Sequence, residues 1–329
     1  MNPTRAWDAF WFRPTSARPL GVFRVLFGLI LLWNLVLCGM DLDHWLTDSG
    51  LLHGTESREV AGPWRESILH HWQSPTAARV VLGVTAAAAL GLTLGWRTRF
   101  MAVANYLGLL TIHHRNLATD SGADVLLMLV SFYLMLSPCG AAYSLDARRR
   151  DRGRGTEAEP LILPWAQRLI QLQVSVVYFI TATMKAGGAT WLDGTALHYV
   201  LNNGEVRRFT FGLTDYPLAI NAMTYGALLT EFALAFLLWV RAARPWIIPM
   251  GIGLHVAIGL TINIPIFGEL ITACYLTFLA PDEFLALVRR LDARAWFAAR
   301  RPATVPADHA EAPKRPQLAG IGARWRVGS

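Results

Sequence analysis

Eight apolar stretches, separated by loops that hold most of the charge, restrict this chain to one kind of fold. They cover Leu20 to about Met40, about 76–95, about 100–115, Asp124 to about Cys139, Trp165 to Lys185, about 217–239, about 245–263 and about 267–281. Most approach the ~20 residues that an α-helix needs to cross the hydrocarbon core of a bilayer. A backbone in lipid must satisfy its own N–H and C=O groups, so each run is read as a helix. The expected fold class is all-α: a polytopic integral membrane bundle of about eight transmembrane helices. The first run has no A-x-A-like cleavage site and is read as a span, not a signal peptide.

Composition supports this reading, since 53% of the residues are hydrophobic, only 16% are charged and 13 are Trp. A net charge of +7 raises the question of nucleic acid. The arginines, however, fall in short loops and in the tail, where membrane orientation accounts for them, and no nucleic-acid partner is expected. Taking alternate loops as cytoplasmic puts 22 basic residues on one side and 7 on the other, with Arg24 left inside a span. Both termini are therefore expected in the cytoplasm. Residues 1–19 are the cytoplasmic N-terminal segment, 20–282 the transmembrane domain, 283–301 an interfacial helix and 302–329 a disordered cytoplasmic tail. Cys38, Cys139 and Cys274 stand singly without C-x-x-C spacing, which indicates packed thiols and no disulfide framework.

Ionisable groups inside apolar runs are costly and need a reason. Of 30 basic residues only Lys185 and Lys314 are Lys, and Lys185 alone lies in the apolar body. Unlike Arg, a desolvated Lys can become a neutral amine base; the plainer reading is a lysine snorkelling at a helix end. Gln171, Ser175, Tyr178 and Lys185 share one face of the fifth run at helical spacing. At 1.5 Å per residue, Arg24 and Glu231 lie about 9 and about 12 Å from the cytoplasmic ends of their helices, which predicts a structural ion pair between them. The same reasoning groups Asp124, Lys185 and Glu269 near the outer surface with His255 beneath them, and places His113, His114 and Asn116 at that level. These groups form the expected site. No metal is expected.

Four segments carry a resemblance: FRVLFGL, GADVLLMLVSFYLMLSPCGAAYSLD, VVYFITATMKAGGATWLDGTALHYVL and HVAIGLTINIPIFGELITACYLTFLAP. Together, over residues 15–282, they are similar to the HTTM family of membrane proteins and resemble the transmembrane core of vitamin K-dependent gamma-carboxylase. The YFI-x4-K-x5-W-x2-G core, Tyr178 to Gly194, is the most specific part. The resemblance implies that Lys185 is the base that deprotonates a reduced naphthoquinone, vitamin K or menaquinone, which then reacts with O2. It implies that His255 is a proton-transfer or hydrogen-bonding partner. CO2 would be captured by a peptide glutamate. Asp124 and Glu269 would orient the catalytic pair, and Tyr178, Trp191, His114 and Asn116 would bind substrate. Two departures stand out. Gly122, Ala123 and Asp124 occupy the place of the carboxylase's Asn-His pair, and nothing matches its large region after the helices.

Two other readings remain. The first is a non-catalytic membrane partner for maturation of, or immunity to, an exported peptide, as in the family's sporulation-delaying-toxin branch. It would recognise the peptide through loops 41–75 and 186–216, which carry Trp45, Trp64, Trp72 and Trp191. The second, ranked lowest, is a transporter relaying charge through Arg24, Glu231 and His255; no inverted repeat or paired broken helix supports it. The expected setting is the bacterial cytoplasmic membrane.

Overall fold

The computed structural model describes residues 2–117, 120–154, 159–209 and 211–291. The expected tail, and the part of the expected interfacial helix from 292 to 301, lie outside the described residues. The helices are α1 (Pro3–Phe12), α2 (Arg18–Met40), α3 (Leu42–Leu46), α4 (Gly54–Ala61), α5 (Pro75–Leu94), α6 (Thr98–Arg115), α7 (Gly122–Leu136) and α8 (Leu145–Arg154). They continue with α9 (Trp165–Ala186), α10 (Ala189–Leu192), α11 (Ala196–Asn202), α12 (Pro217–Leu237), α13 (Arg244–Thr261), α14 (Phe267–Cys274) and α15 (Pro281–Leu291). Two dipeptides, β1 (Thr15–Ser16) and β2 (Leu161–Ile162), pair antiparallel ahead of α2 and α9.

Local chemistry sets the helix ends. Proline occupies the first turn of α2, α5, α12 and α13, where its missing N–H has no intrahelical acceptor. Ser74 accepts from Ala77 N–H at the start of α5, and Ser121 and Asp124 form a capping box on α7. α5 ends at Gly95, whose φ of +69° favours glycine, and a Cβ there would meet Ser144 at 2.3 Å.

Helices occupy all eight expected stretches, and the all-α polytopic class holds. α2, α5, α9, α12 and the stretch Arg241–Thr261 are long and apolar enough to cross a membrane. α7 has 15 residues and the last apolar unit runs only from Phe267 to Phe278, its second part a 3-10 turn. At 1.5 Å per residue α7 covers about 22 Å, less than the full hydrocarbon thickness.

α2, α5 and α6 pack in succession, as do α9, α12 and α13; α14 touches α2, α7, α9 and α13 and joins the two sets. Phe23, Phe27, Leu31, Leu127, Ile170, Val174, Leu234 and Leu270 are buried where these sets meet. Large apolar side chains also point outward, among them Leu29, Trp33 and Val36 on α2 and Leu229 and Phe236 on α12. A bundle apolar both inside and outside requires lipid around it.

The α13–α14 connection is strained. Ile266, buried and β-branched, has φ +73°, and Phe267 N–H donates to Pro265 C=O at 2.9 Å, closing a tight γ-turn. Ile264 in this segment lines three clefts, so the strained turn borders each of them.

Candidate functional site

The expected pair of Arg24 and Glu231 does not form. Arg24 is fully buried on α2, and its guanidinium donates to the carbonyls of Leu92, Thr93 (3.0 Å) and Tyr143 (2.7 Å). Carbonyls at the end of α5 keep acceptor capacity, Leu92 C=O accepting also from Gly95 N–H at 3.0 Å, and the forked guanidinium supplies several donors at once. Arg24 therefore closes a helix end. The depth estimate matched two helices that pack against different neighbours.

Glu231 belongs to Lys185. Lys185 lies in the last turn of α9, and its Nζ donates to Glu231 Oε1 on α12. The Thr181 hydroxyl, one turn before Lys185, lies 3.3 Å from Glu231 Oε2. Lys185 Nζ stands 5.2 Å from the centre of the Trp191 ring, within cation–π reach. The carboxylate is nearly enclosed, with 6% of its side chain exposed, whereas the lysine is 27% exposed. Both line a cavity of about 560 Å³ whose other walls include Met223, Met250, Leu254 and Ile258.

His255, on α13, lies within electrostatic reach of Lys185 and makes its direct contact with Tyr178. The Tyr178 hydroxyl lies 2.7 Å from His255 Nε2 and also hydrogen-bonds the Tyr275 hydroxyl. Both hydroxyl protons are used if Tyr275 donates to Tyr178 and Tyr178 to Nε2, which leaves the ring proton on Nδ1. That Nδ1 is buried and without a partner. Gly251, one turn earlier on α13, allows the close approach, since a Cβ there would lie 2.5 Å from the Tyr275 hydroxyl. His255 and the exposed Glu269 line a second cavity, of about 910 Å³, with Trp33, Trp45 and Arg208.

Part of the expected cluster comes together, with Lys185 and Glu231 in electrostatic reach of Tyr178 and His255. Lys185 and Trp191 come together, Tyr178 and His255 come together, and Glu269 shares a cavity with His255. Asp124 is elsewhere: its Oδ2 accepts from Ser121 N–H and hydroxyl, both at 2.8 Å, and its Oδ1 lies 4.0 Å from His113 Nδ1. His114 and Asn116 hold the 41–75 loop, His114 Nδ1 lying 3.2 Å from Glu66 C=O and Asn116 Nδ2 donating to Trp45 C=O at 3.2 Å. Thr181 and Tyr275 were not anticipated. Thr181 could have been found, because it lies four residues before Lys185 on the same face; Tyr275 sits in an apolar run that gives no signal.

Ser57 and His70 in the same loop lie 3.3 Å apart and invite comparison with a nucleophile and its base. His70 Nδ1, however, accepts from Ser67 N–H at 3.2 Å, so its proton is on Nε2, and the Ser57 hydroxyl donates to Arg115 C=O. The pair is a buried tether, with the wrong tautomer for base catalysis.

The HTTM domain matches residues 12–282. Sporulation-delaying protein SdpB of Bacillus subtilis (strain 168) is 24% identical over 130 residues, which cover 38% of this chain and 37% of that protein. No solved structure matches the chain. With the match running from α1 to the start of α15, this multi-pass helical protein belongs to the HTTM domain family.

Proposed function

We propose that the protein is a membrane enzyme that removes a proton from a lipophilic substrate at the Lys185–Glu231 pair, related in chemistry to vitamin K-dependent gamma-carboxylase. The observation that carries this reading is an oppositely charged pair at the wall of an apolar cavity inside a lipid-embedded bundle. A net-neutral pair has two tautomers, ammonium with carboxylate and amine with carboxylic acid. Exclusion of water narrows the gap between them, so a proton shift within the pair supplies the neutral amine that base catalysis needs. Trp191 faces the ammonium end of the pair, and the Thr181 hydroxyl, which also donates to Val177 C=O at 2.9 Å, lies beside the carboxylate end.

A reduced naphthoquinone, vitamin K or menaquinone, suits this cavity. Its volume is in the range of small-molecule sites and its walls are apolar apart from Lys185, Glu231 and a few hydroxyls. When bound, such a quinol supplies the electrons for reaction with O2; CO2 would be the further reactant if a peptide glutamate is carboxylated. Lys185 and Glu231 would hold the proton taken from its hydroxyl, and the apolar wall would keep water away. Tyr178, His255 and Tyr275 fix α9 against α13 and the segment after α14. Asp124 has no part in this pair, and Glu269 faces the neighbouring cavity. Both termini in the cytoplasm of a bacterial cell would turn the end of α9 outward.

The test is epoxide formation and oxygen uptake by lipid-reconstituted protein given reduced naphthoquinone, with Lys185→Ala alongside. Turnover lost in a well-folded Lys185→Ala protein supports the reading; no turnover by the wild type with several tail lengths, with and without peptide, rejects it. The likeness to SdpB favours a second reading, a non-catalytic partner in maturation of, or immunity to, an exported peptide. That role would tolerate loss of the amine and depend on Trp45, Trp64 and Trp72. The transporter reading loses its relay, since Arg24 is committed to backbone carbonyls.

A further inference from the structure

We propose that His113, Asp120 and Asp124 bind one divalent cation of intermediate hardness, such as Mn²⁺ or Zn²⁺. His113 lies in the last turn of α6, Asp120 in the connection that follows and Asp124 in the first turn of α7. One ligand atom from each can be chosen so that all three lie within 4.8 Å of one another. His113 Nδ1 is 2.9 Å from Asp120 Oδ1 and 4.0 Å from Asp124 Oδ1. Separations of this size are those between ligands that share one ion with bonds of ~2.0–2.2 Å.

Charge points the same way. The two carboxylates expose only 13% and 16% of their side chains, and among the described residues no Arg or Lys nitrogen comes within 4.0 Å of either. Even a fully protonated His113 would leave one negative charge uncompensated in a poorly solvated place, and a neutral ring would leave two. A divalent cation with a neutral ring closes the balance.

His113 is free to serve as a ligand. Its side chain is 6% exposed, and Nδ1 holds the ring proton toward Asp120 Oδ1 at 2.9 Å, so a bound cation would take the place of that proton. His70, by contrast, has Nδ1 fixed as an acceptor by Ser67 N–H. In His113 a cation bound beside both carboxylates would displace the Nδ1 proton and take up that lone pair. Ser121 supports Asp124 from behind through Oδ2, leaving Oδ1 toward the ring. His113 and Asp124 also line a cavity of about 520 Å³ that Asn34 and Cys38 share, which has room for the water ligands an incomplete protein set requires. One imidazole with two carboxylates suits Mn²⁺ or Zn²⁺ better than a site made of oxygen alone.

The experiment is titration of the metal-stripped, full-length protein in lipid nanodiscs with Mn²⁺, read by loss of the free-ion EPR signal, followed by competition with Zn²⁺. The expected result is one Mn²⁺ per chain with ¹⁴N coupling, displaced by Zn²⁺. Asp120→Asn and His113→Gln should each weaken binding at least tenfold, and His113→Gln should abolish the ¹⁴N coupling. A Zn²⁺-dependent rise in Tm, present in the wild type and absent in His113→Gln, gives a second readout. If Asp120→Asn does not fold, Asp120→Glu should retain Mn²⁺ with altered affinity. Absence of Mn²⁺ and Zn²⁺ binding to folded wild type up to millimolar concentration would overturn the proposal. Binding unchanged in the folded variants would do so equally.

Discussion

Arg24 and Lys185 are both cations in apolar helices, yet their partners give them opposite tasks. Arg24 donates to carbonyls at the end of α5 and to Tyr143 C=O, a role that suits a permanently charged fork, whereas Lys185 faces a single carboxylate at a cavity wall. Arg24→Leu should therefore lower stability by about 3 kcal/mol, the scale of lost charged hydrogen bonds and stranded buried acceptors, measured by unfolding in mixed micelles. Combined with Glu231→Gln, its effect should add to within about 0.5 kcal/mol, as for independent sites; a larger coupling would restore the ion pair that the geometry rejects. His70 gives a pH prediction outside the spans. Burial, aided by the charge of Arg115, pushes its pKa below the ordinary 6.5. The unfolded chain then binds the proton more readily, so neutral His70 contributes fully above pH 6.5 and progressively less as pH falls from there toward the folded value. Corrected amide exchange at Ser67 and Leu69 should be steady above that pH and faster below it; protection unchanged well into acid would contradict this.

The helices were legible because a charge-poor run of membrane length has few other ways to satisfy its backbone. Their partners were less so. Spacing gives a residue's depth along its own helix, but the direction it faces depends on which helices are neighbours. Arg24 and Glu231 agree in depth while α2 packs on α5 and α12 on α9 and α13. His113 and Asp124 were placed at one level by the same reasoning, but Asp120, which joins them, was missed. The α9 face was readable: Gln171 and Tyr178 are buried on it, and Lys185 ends it. Packing of α13 on the segment after α14 depends on one small residue. Gly251→Ala would drive a methyl group into the Tyr275 hydroxyl, so the Tyr178–His255 contact should be lost while the Lys185–Glu231 pair persists. The check is the imidazole signal of His255 by NMR in ¹⁵N-histidine-labelled protein; an unchanged signal would show that the helices shift without breaking the contact.

At the scale of the whole molecule, helices apolar on their outer faces form three clefts bordered by the 263–266 turn, and the charged pair lies at the wall of one of them. Eight crossings with the basic loops inside predict that reporters fused before Pro3 and after Leu291 both report cytoplasm, and that cysteines placed at exposed loop positions near 59 and 205 react with impermeant thiol reagents from outside. Termini on opposite sides would mean that α6, α7 or the short Phe267–Phe278 unit does not cross. The central claim is that the amine of Lys185 must be able to lose its proton. Lys185→Arg keeps a positive charge beside Glu231 but cannot supply a neutral base. Quinol-dependent oxygen uptake by the reconstituted variant, with its folding verified, is the most direct measurement. The account predicts wild-type turnover and at least a 100-fold loss in Lys185→Arg, as expected for removal of a general base. Turnover retained by Lys185→Arg would contradict it, because a charge at that position would then suffice.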